Sequence, residues 1–328
     1  MSRRLSFALL VALNAALLAA CVRWGSVRIP AADVWAILTG GEASDADRAE
    51  AWRFILLQSR VPSALTAALT GAALGVCGLL LQSFFRNPLA GPSVLGITSG
   101  AHLAVALATM AGVTAAAGLV AGALGGALAV TLLLLAVART VRHPMTLLIV
   151  GVLVGYVVSA AITLLSHYAT ADGLQAFVVW GMGNFAGVGR EDLPAYAAAI
   201  FAGLALSFLL AGPLNAWMLG SDYARSLGFR PERTRTLVLV ASSLLAGVTT
   251  AWCGPISFIG LCIPHVARLL MRTDDHRLLL PASALCGAAL ATLCLLLSAL
   301  PPSGRLLPVN ALTPLFGVPV VLYVLLRR

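Results

Sequence analysis

The stretch MTLLIVGVLVGYVVSAAITLLSH, residues 145–167, contains no Asp, Glu, Lys or Arg. A helix of that length rises about 34 Å, enough to cross the ~30 Å hydrocarbon core of a bilayer. A barrel strand would alternate apolar and polar side chains over about ten residues. Here the apolar run is unbroken, so it reads as a transmembrane helix. Within it Gly151, Gly155, Ser159 and Thr163 recur at intervals of four, which lines small and hydroxyl groups along one face. Close helix packing explains such a stripe, and so does the wall of a transport pathway. The two coincide if the helix lies at an interface that also encloses the pathway.

The same criterion applied outward gives ten spans, near residues 5–22, 62–82, 92–111, 113–137, 145–167, 194–211, 236–252, 256–271, 278–300 and 307–326. With 60% hydrophobic and 10% charged residues, the 328-residue chain has more apolar surface than one soluble core can bury. The expectation is an all-α integral membrane protein, residues 1–328 forming a single transmembrane domain. The eighth span starts after Gly254-Pro255, a pair that breaks any longer helix.

All 21 basic residues are Arg. A phosphate-binding loop needs Lys after its glycines, so this chain does not hydrolyse nucleotide by that route. The arginines lie between apolar spans, which points to membrane topology and away from nucleic acid. With both termini cytoplasmic, fourteen of the 21 arginines and four of the twelve acids fall inside, in keeping with the positive-inside rule. The expected location is the cytoplasmic (inner) membrane, as a multi-pass protein. The six cysteines show no zinc-type spacing, and neither cofactor nor metal is expected.

No Asp or Glu falls inside any of the ten spans; at depth the ionisable groups reduce to His102, His167 near an end, and His265 and Arg268 near the inner face. A proton-driven carrier usually holds a buried carboxylate. Its absence disfavours an ion-gradient-driven secondary transporter, the alternative kept here, and places the energy source in another subunit.

Between the sixth and seventh spans lies Leu214-Asn215-Ala216-Trp217-Met218-Leu219-Gly220-Ser221-Asp222-Tyr223-Ala224-Arg225-Ser226-Leu227-Gly228-Phe229. It is too short for a domain. It mixes charge with apolar residues at helical spacing, and Gly220 and Gly228 bracket about two turns of helix. Such an element lies on lipid headgroups or docks into a partner's groove.

Here the sequence resembles the permease family of iron-chelate and cobalamin ABC importers, with the type II importer permease fold. The resemblance is carried by Leu214-Asn215, Leu219-Gly220, Ala224 and Leu227-Gly228, and by Gln82, Phe85, Arg86-Asn87-Pro88-Leu89-Ala90, Leu95-Gly96 and Ser99-Gly100-Ala101. It continues in Trp180, Met182-Gly183 and Gly187, then Gly254-Pro255-Ile256, Phe258-Ile259-Gly260-Leu261, Pro264-His265, Arg268 and Asp275-His276-Arg277. Leu307-Pro308, Gly317 and Pro319 complete it, so that it covers roughly residues 52–328.

The resemblance implies a homodimer of ten-helix subunits, two cytoplasmic ATPase subunits and a periplasmic substrate-binding protein, importing a ferric siderophore, haem or cobalamin. It implies that residues 214–229, with Arg225 among them, dock in the ATPase. It also implies that the fifth and tenth helices line a path between subunits, with Pro144-Met145 in the inner gate. The family often carries Arg-x-Pro-Arg before span two; here Arg60-Val61-Pro62-Ser63 keeps only the first Arg. Leu295, Ala299 and Leu306 stand where charged residues are common. Docking of the binding protein is therefore expected on Arg60, Arg53 or Arg305.

Overall fold

The computed structural model of the protein describes residues 3–25, 27–113, 115–141, 144–299 and 307–326; Arg305 and Leu306 lie outside them. Every regular element among these residues is helical.

Two neighbouring helices can bring their backbones together only where both lack side-chain bulk. α4 (Val61–Phe85) and α14 (His276–Ser298) do so at Gly71 and Gly287: a Cβ on either glycine would overlap the carbonyl oxygen of the other. Dispersion contacts at such approaches drive association where lipid is as apolar as the side chains. α4 forms the axis of the molecule, packed by α14, α12 (Pro231–Cys253) and α13 (Ile259–Met271). α1 (Arg3–Arg23) lies outside α14.

On another flank α5 (Ile97–Met110) pairs with α6 (Ala116–Thr140), and α7 (Pro144–Tyr168) leans on α5. α8 (Ala171–Gly181) packs on α5, and α15 (Val309–Leu326) on α13. α9 (Leu193–Leu209) bends by 45° into α10 (Ala211–Leu219), and α11 (Ser221–Ser226) follows.

Among the described residues six helices are long and apolar enough to cross a membrane, and the bent α9–α10 pair makes a seventh. α5, α13 and Val309–Tyr323 are shorter apolar helices, so the architecture is consistent with ten crossings. Two expectations change in detail. The third span does not run unbroken from 92: Pro92–Leu95 is a 3-10 turn, Gly96 takes φ 73°, and α5 starts after it. The region before residue 61 holds α2 (Ala31–Leu38) and α3 (Ala46–Phe54), where no helix was expected. These cluster around Ile29, Val34, Ile37, Trp52 and Leu56, and the Asp33 carboxylate accepts from Ser44 N at 2.7 Å and Ser44 Oγ at 3.0 Å. α3 runs through one π-helical turn, Ile55–Arg60, straight into α4.

Candidate functional site

Gly220 at φ 129° and Gly228 at φ 84° bound α11, because reversing direction there requires backbone conformations that side chains resist. The 214–229 segment is thus two short helices, α10 and α11, rather than one. Their inward side is fastened to the core. Leu214 and Ala224 are buried, and Trp217 stacks on Phe84 with ring centroids 5.1 Å apart while its Nε1 donates to the Phe84 carbonyl at 3.0 Å. Arg86, in the left-handed conformation that ends α4, donates to the Trp217 carbonyl.

Asn215 holds the other side. Its Nδ2 donates to Asp275 Oδ1 at 2.7 Å, and its Oδ1 accepts from His276 N at 2.9 Å and lies 2.7 Å from His276 Nδ1. His276 Nε2 reaches Ser83 Oγ at 2.6 Å. Asp275 also caps α14 by accepting from Arg277 N at 2.9 Å. That backbone N–H, and then the Asn215 amide, hold the Asp275 carboxyl below the usual carboxylate range.

The outward side of the helix pair is apolar and open: Met218, Leu219, Tyr223 and Leu227 are all exposed, Leu219 at 69%. Arg225 pairs at the surface with Glu232 (3.1 Å) and Asp222 (3.5 Å). The element is thus rigidly mounted on one side and carries an exposed apolar tip on the other.

The helix pair also reaches the start of α7. Pro144 lines a cavity of about 480 Å³ together with Trp217, Ser221, Arg225 and Arg235. Arg235 Nη1 donates to the Val141 carbonyl at 2.7 Å, tying α12 to the end of α6. Met145 is exposed beside it.

The stripe on α7 divides in two. Gly151 is a packing residue: a Cβ there would lie 2.8 Å from Leu95 Cα and from the Val94 carbonyl oxygen. Gly155, Ser159 and Thr163 line a cavity of about 560 Å³ with Ser99, His102 and Phe258. Asn310 closes one end. Its Nδ2 donates to the Gly181 and Pro255 carbonyls and its Oδ1 accepts from Ser257 N at 3.0 Å, pinning α15 to the loop before α13. Asn310 was missed in the sequence, although a lone amide in an apolar span is a signal in itself.

At the opposite end from α10, Arg60 does not present a free cation. It is 9% exposed, its Nη1 donates to the Val22 and Arg23 carbonyls at 3.0 and 3.2 Å, and its Nη2 donates to Val27. Burial near Arg23 lets the guanidinium serve the end of α1, as carbonyls left without donors would be costly. Ser63, Leu295 and Ala299 gather beside it around one apolar cavity of about 390 Å³. Arg53, by contrast, is exposed on α3.

An apolar helical bundle with a pinned helix pair at one end and a hydroxyl-lined cavity beside α7 has the build of a transport permease. The FecCD transport family matches residues 10–327. The vitamin B12 import system permease protein BtuC of Salmonella paratyphi A is 36% identical over 272 residues, 82% of this chain and 83% of its own. The protein of the same name from Klebsiella pneumoniae is 35% identical over 277 residues, 84% and 83% respectively. A solved structure described as a metal-chelate type ABC transporter in an inward-facing conformation superposes with a TM-score of 0.87 at 26% identity, covering all of both chains. The chain belongs to the FecCD transport family. It is a multi-pass membrane permease, and ATP hydrolysis resides in a separate subunit.

Proposed function

We propose that the chain imports a metal chelate across the cytoplasmic membrane as a homodimer, joined by two cytoplasmic ATPase subunits and a periplasmic substrate-binding protein. The observation that carries this is the mounting of α10 and α11: buried on one side against Phe84 and Asn215's partners, open and apolar on the other at Met218, Leu219, Tyr223 and Leu227. An ATPase surface closing on that tip moves α4, α14 and, through the Pro144 cavity, α7. Its arginine-rich surroundings, Arg86, Arg225, Arg230, Arg233 and Arg235, support a cytoplasmic position through the positive-inside rule. The exposed face of α7, with Tyr156 and Val157 at 71% and 70%, is offered to the second copy. Arg53 is the docking cation for the binding protein.

The names of the relatives make a corrinoid the first cargo to test, ahead of haem or a ferric siderophore. The experiment is uptake into proteoliposomes carrying the permease with its cognate ABC ATPase and binding protein. Uptake should require ATP inside and persist with ionophores. Uptake that continues without the ATPase and collapses with the ion gradient sinks this proposal in favour of a secondary carrier.

A further inference from the structure

His102 sits on the second turn of α5 and lines the cavity beside Gly155, Ser159 and Thr163. Its Nδ1 lies 2.8 Å from the Thr98 carbonyl oxygen. A carbonyl only accepts, so Nδ1 carries the hydrogen, and in the neutral ring Nε2 keeps its lone pair. Nε2 has no hydrogen-bond partner among the described residues, and it is not among the buried atoms sealed from accessible space. Trp180 and Phe177 meet the imidazole edge-on, with centroids 5.3 and 6.4 Å away, which fixes the ring plane. A ring oriented by an Nδ1–H to a carbonyl, with Nε2 free, is the arrangement of histidines that ligate metals.

No group of three or more His, Cys, Asp or Glu able to hold a metal exists among the described residues. One imidazole alone does not retain a bare ion. It suits a metal whose other positions are already filled and which keeps one exchangeable site. A cavity of about 560 Å³ falls within the usual range for ligand-sized molecules, and Phe258 adds an aromatic face to it.

Resting on the importer reading above, we infer that His102 Nε2 is an axial ligand in the translocation cavity for a planar macrocyclic metal chelate with an exchangeable coordination position. Iron porphyrins and cobalt corrinoids have that chemistry. A siderophore that saturates its iron does not. The bond formed is a dative one from the Nε2 lone pair to the metal, displacing a water ligand, with no change of oxidation state.

The test uses the full chain in lipid nanodiscs, titrated in one arm with ferric protoporphyrin IX and in the other with aquocobalamin, each followed by absorption. At least one should show an imidazole-type band shift, and metal-free protoporphyrin IX should show none. His102→Gln should weaken that binding by about tenfold or more, whereas His167→Gln, altering an exposed imidazole at the far end of α7, should leave it unchanged. His102→Ala should lose the band while remaining monodisperse with the parent's melting temperature, which shows that the variant is folded. Silence with both chelates, or an unchanged spectrum in His102→Gln, overturns the inference. The measurement contains no ATPase, so its failure leaves ATP-driven uptake to be judged by its own experiment. The arm that responds also says which macrocycle is carried.

Discussion

α4 and α7 are each 25 residues long and strongly apolar, yet 21 residues of α4 are buried against four of α7. Hydropathy does not separate them, since α7 is the more apolar of the two. Placement of small residues does. In α4 the buried small residues Ala64, Thr66, Ala67, Thr70, Ala72, Ala73 and Gly75, set about 100° apart per residue, fall around the whole circumference, so helices approach from every side. In α7 they form one stripe, and the helix is held along that line only, with Tyr156, Val157 and Leu164 left exposed. In a membrane, small residues mark where protein meets protein, and apolarity marks only where the membrane is.

The sharpest way to break this contrast is Gly71→Leu. A side chain forced between α4 and α14 should cost about 3 kcal/mol or more, seen as loss of monodisperse protein in detergent. Survival with an unchanged melting temperature would remove the close approach from the account.

Arg60→Met should follow, at about 1–3 kcal/mol, because carbonyls at the end of α1 lose their donor. Arg53→Ala should stay within about 0.5 kcal/mol while weakening capture of the loaded binding protein. Equal effects on melting would show that Arg60 is not the structural one of the two.

On α7, Gly155→Leu should shift the melting temperature by no more than about 2 °C, since a Cβ there meets only Ser99 Oγ, at 3.6 Å. The same change should remove most ATP-driven uptake by filling the cavity.

The smallest effect belongs to Asp275. Its folded-state pKa is depressed, so its contribution is present above the unfolded value of about 3.9 and fades as pH falls through the folded value. Asp275→Ala should flatten the slight loss of thermal stability below about pH 4, and a slope identical to the parent's would discount the cap.

Spans were legible where about twenty apolar residues run together, as in α6, α7, α12 and α14. They were misjudged at α5, because the Gly96 turn that shortens it is set by packing against Gly151 rather than by hydropathy. α2 and α3 were invisible for a related reason: their stability comes from a small cluster about Trp52 and from the Asp33–Ser44 contacts, none of which has a periodic trace. The ends of α11 could be read from Gly220 and Gly228. The fastening of α10 through Asn215 to Asp275 and His276, and on to Ser83, joins positions up to 193 residues apart, beyond the reach of local pattern. Likewise the stripe on α7 gave the face but not its division, since only the tertiary structure sets Gly151 against Leu95.

From Ala46 to Phe85 the chain is a single 40-residue helical run, about 60 Å long and twice the depth of the hydrocarbon core. One end carries exposed Arg53 in the medium, and the other ends at Arg86, whose guanidinium grips the Trp217 carbonyl of α10. On the proposed assembly, a load set down on α3 would travel the full height of the molecule without crossing a loop, so that binding protein and ATPase would hold opposite ends of the same bar.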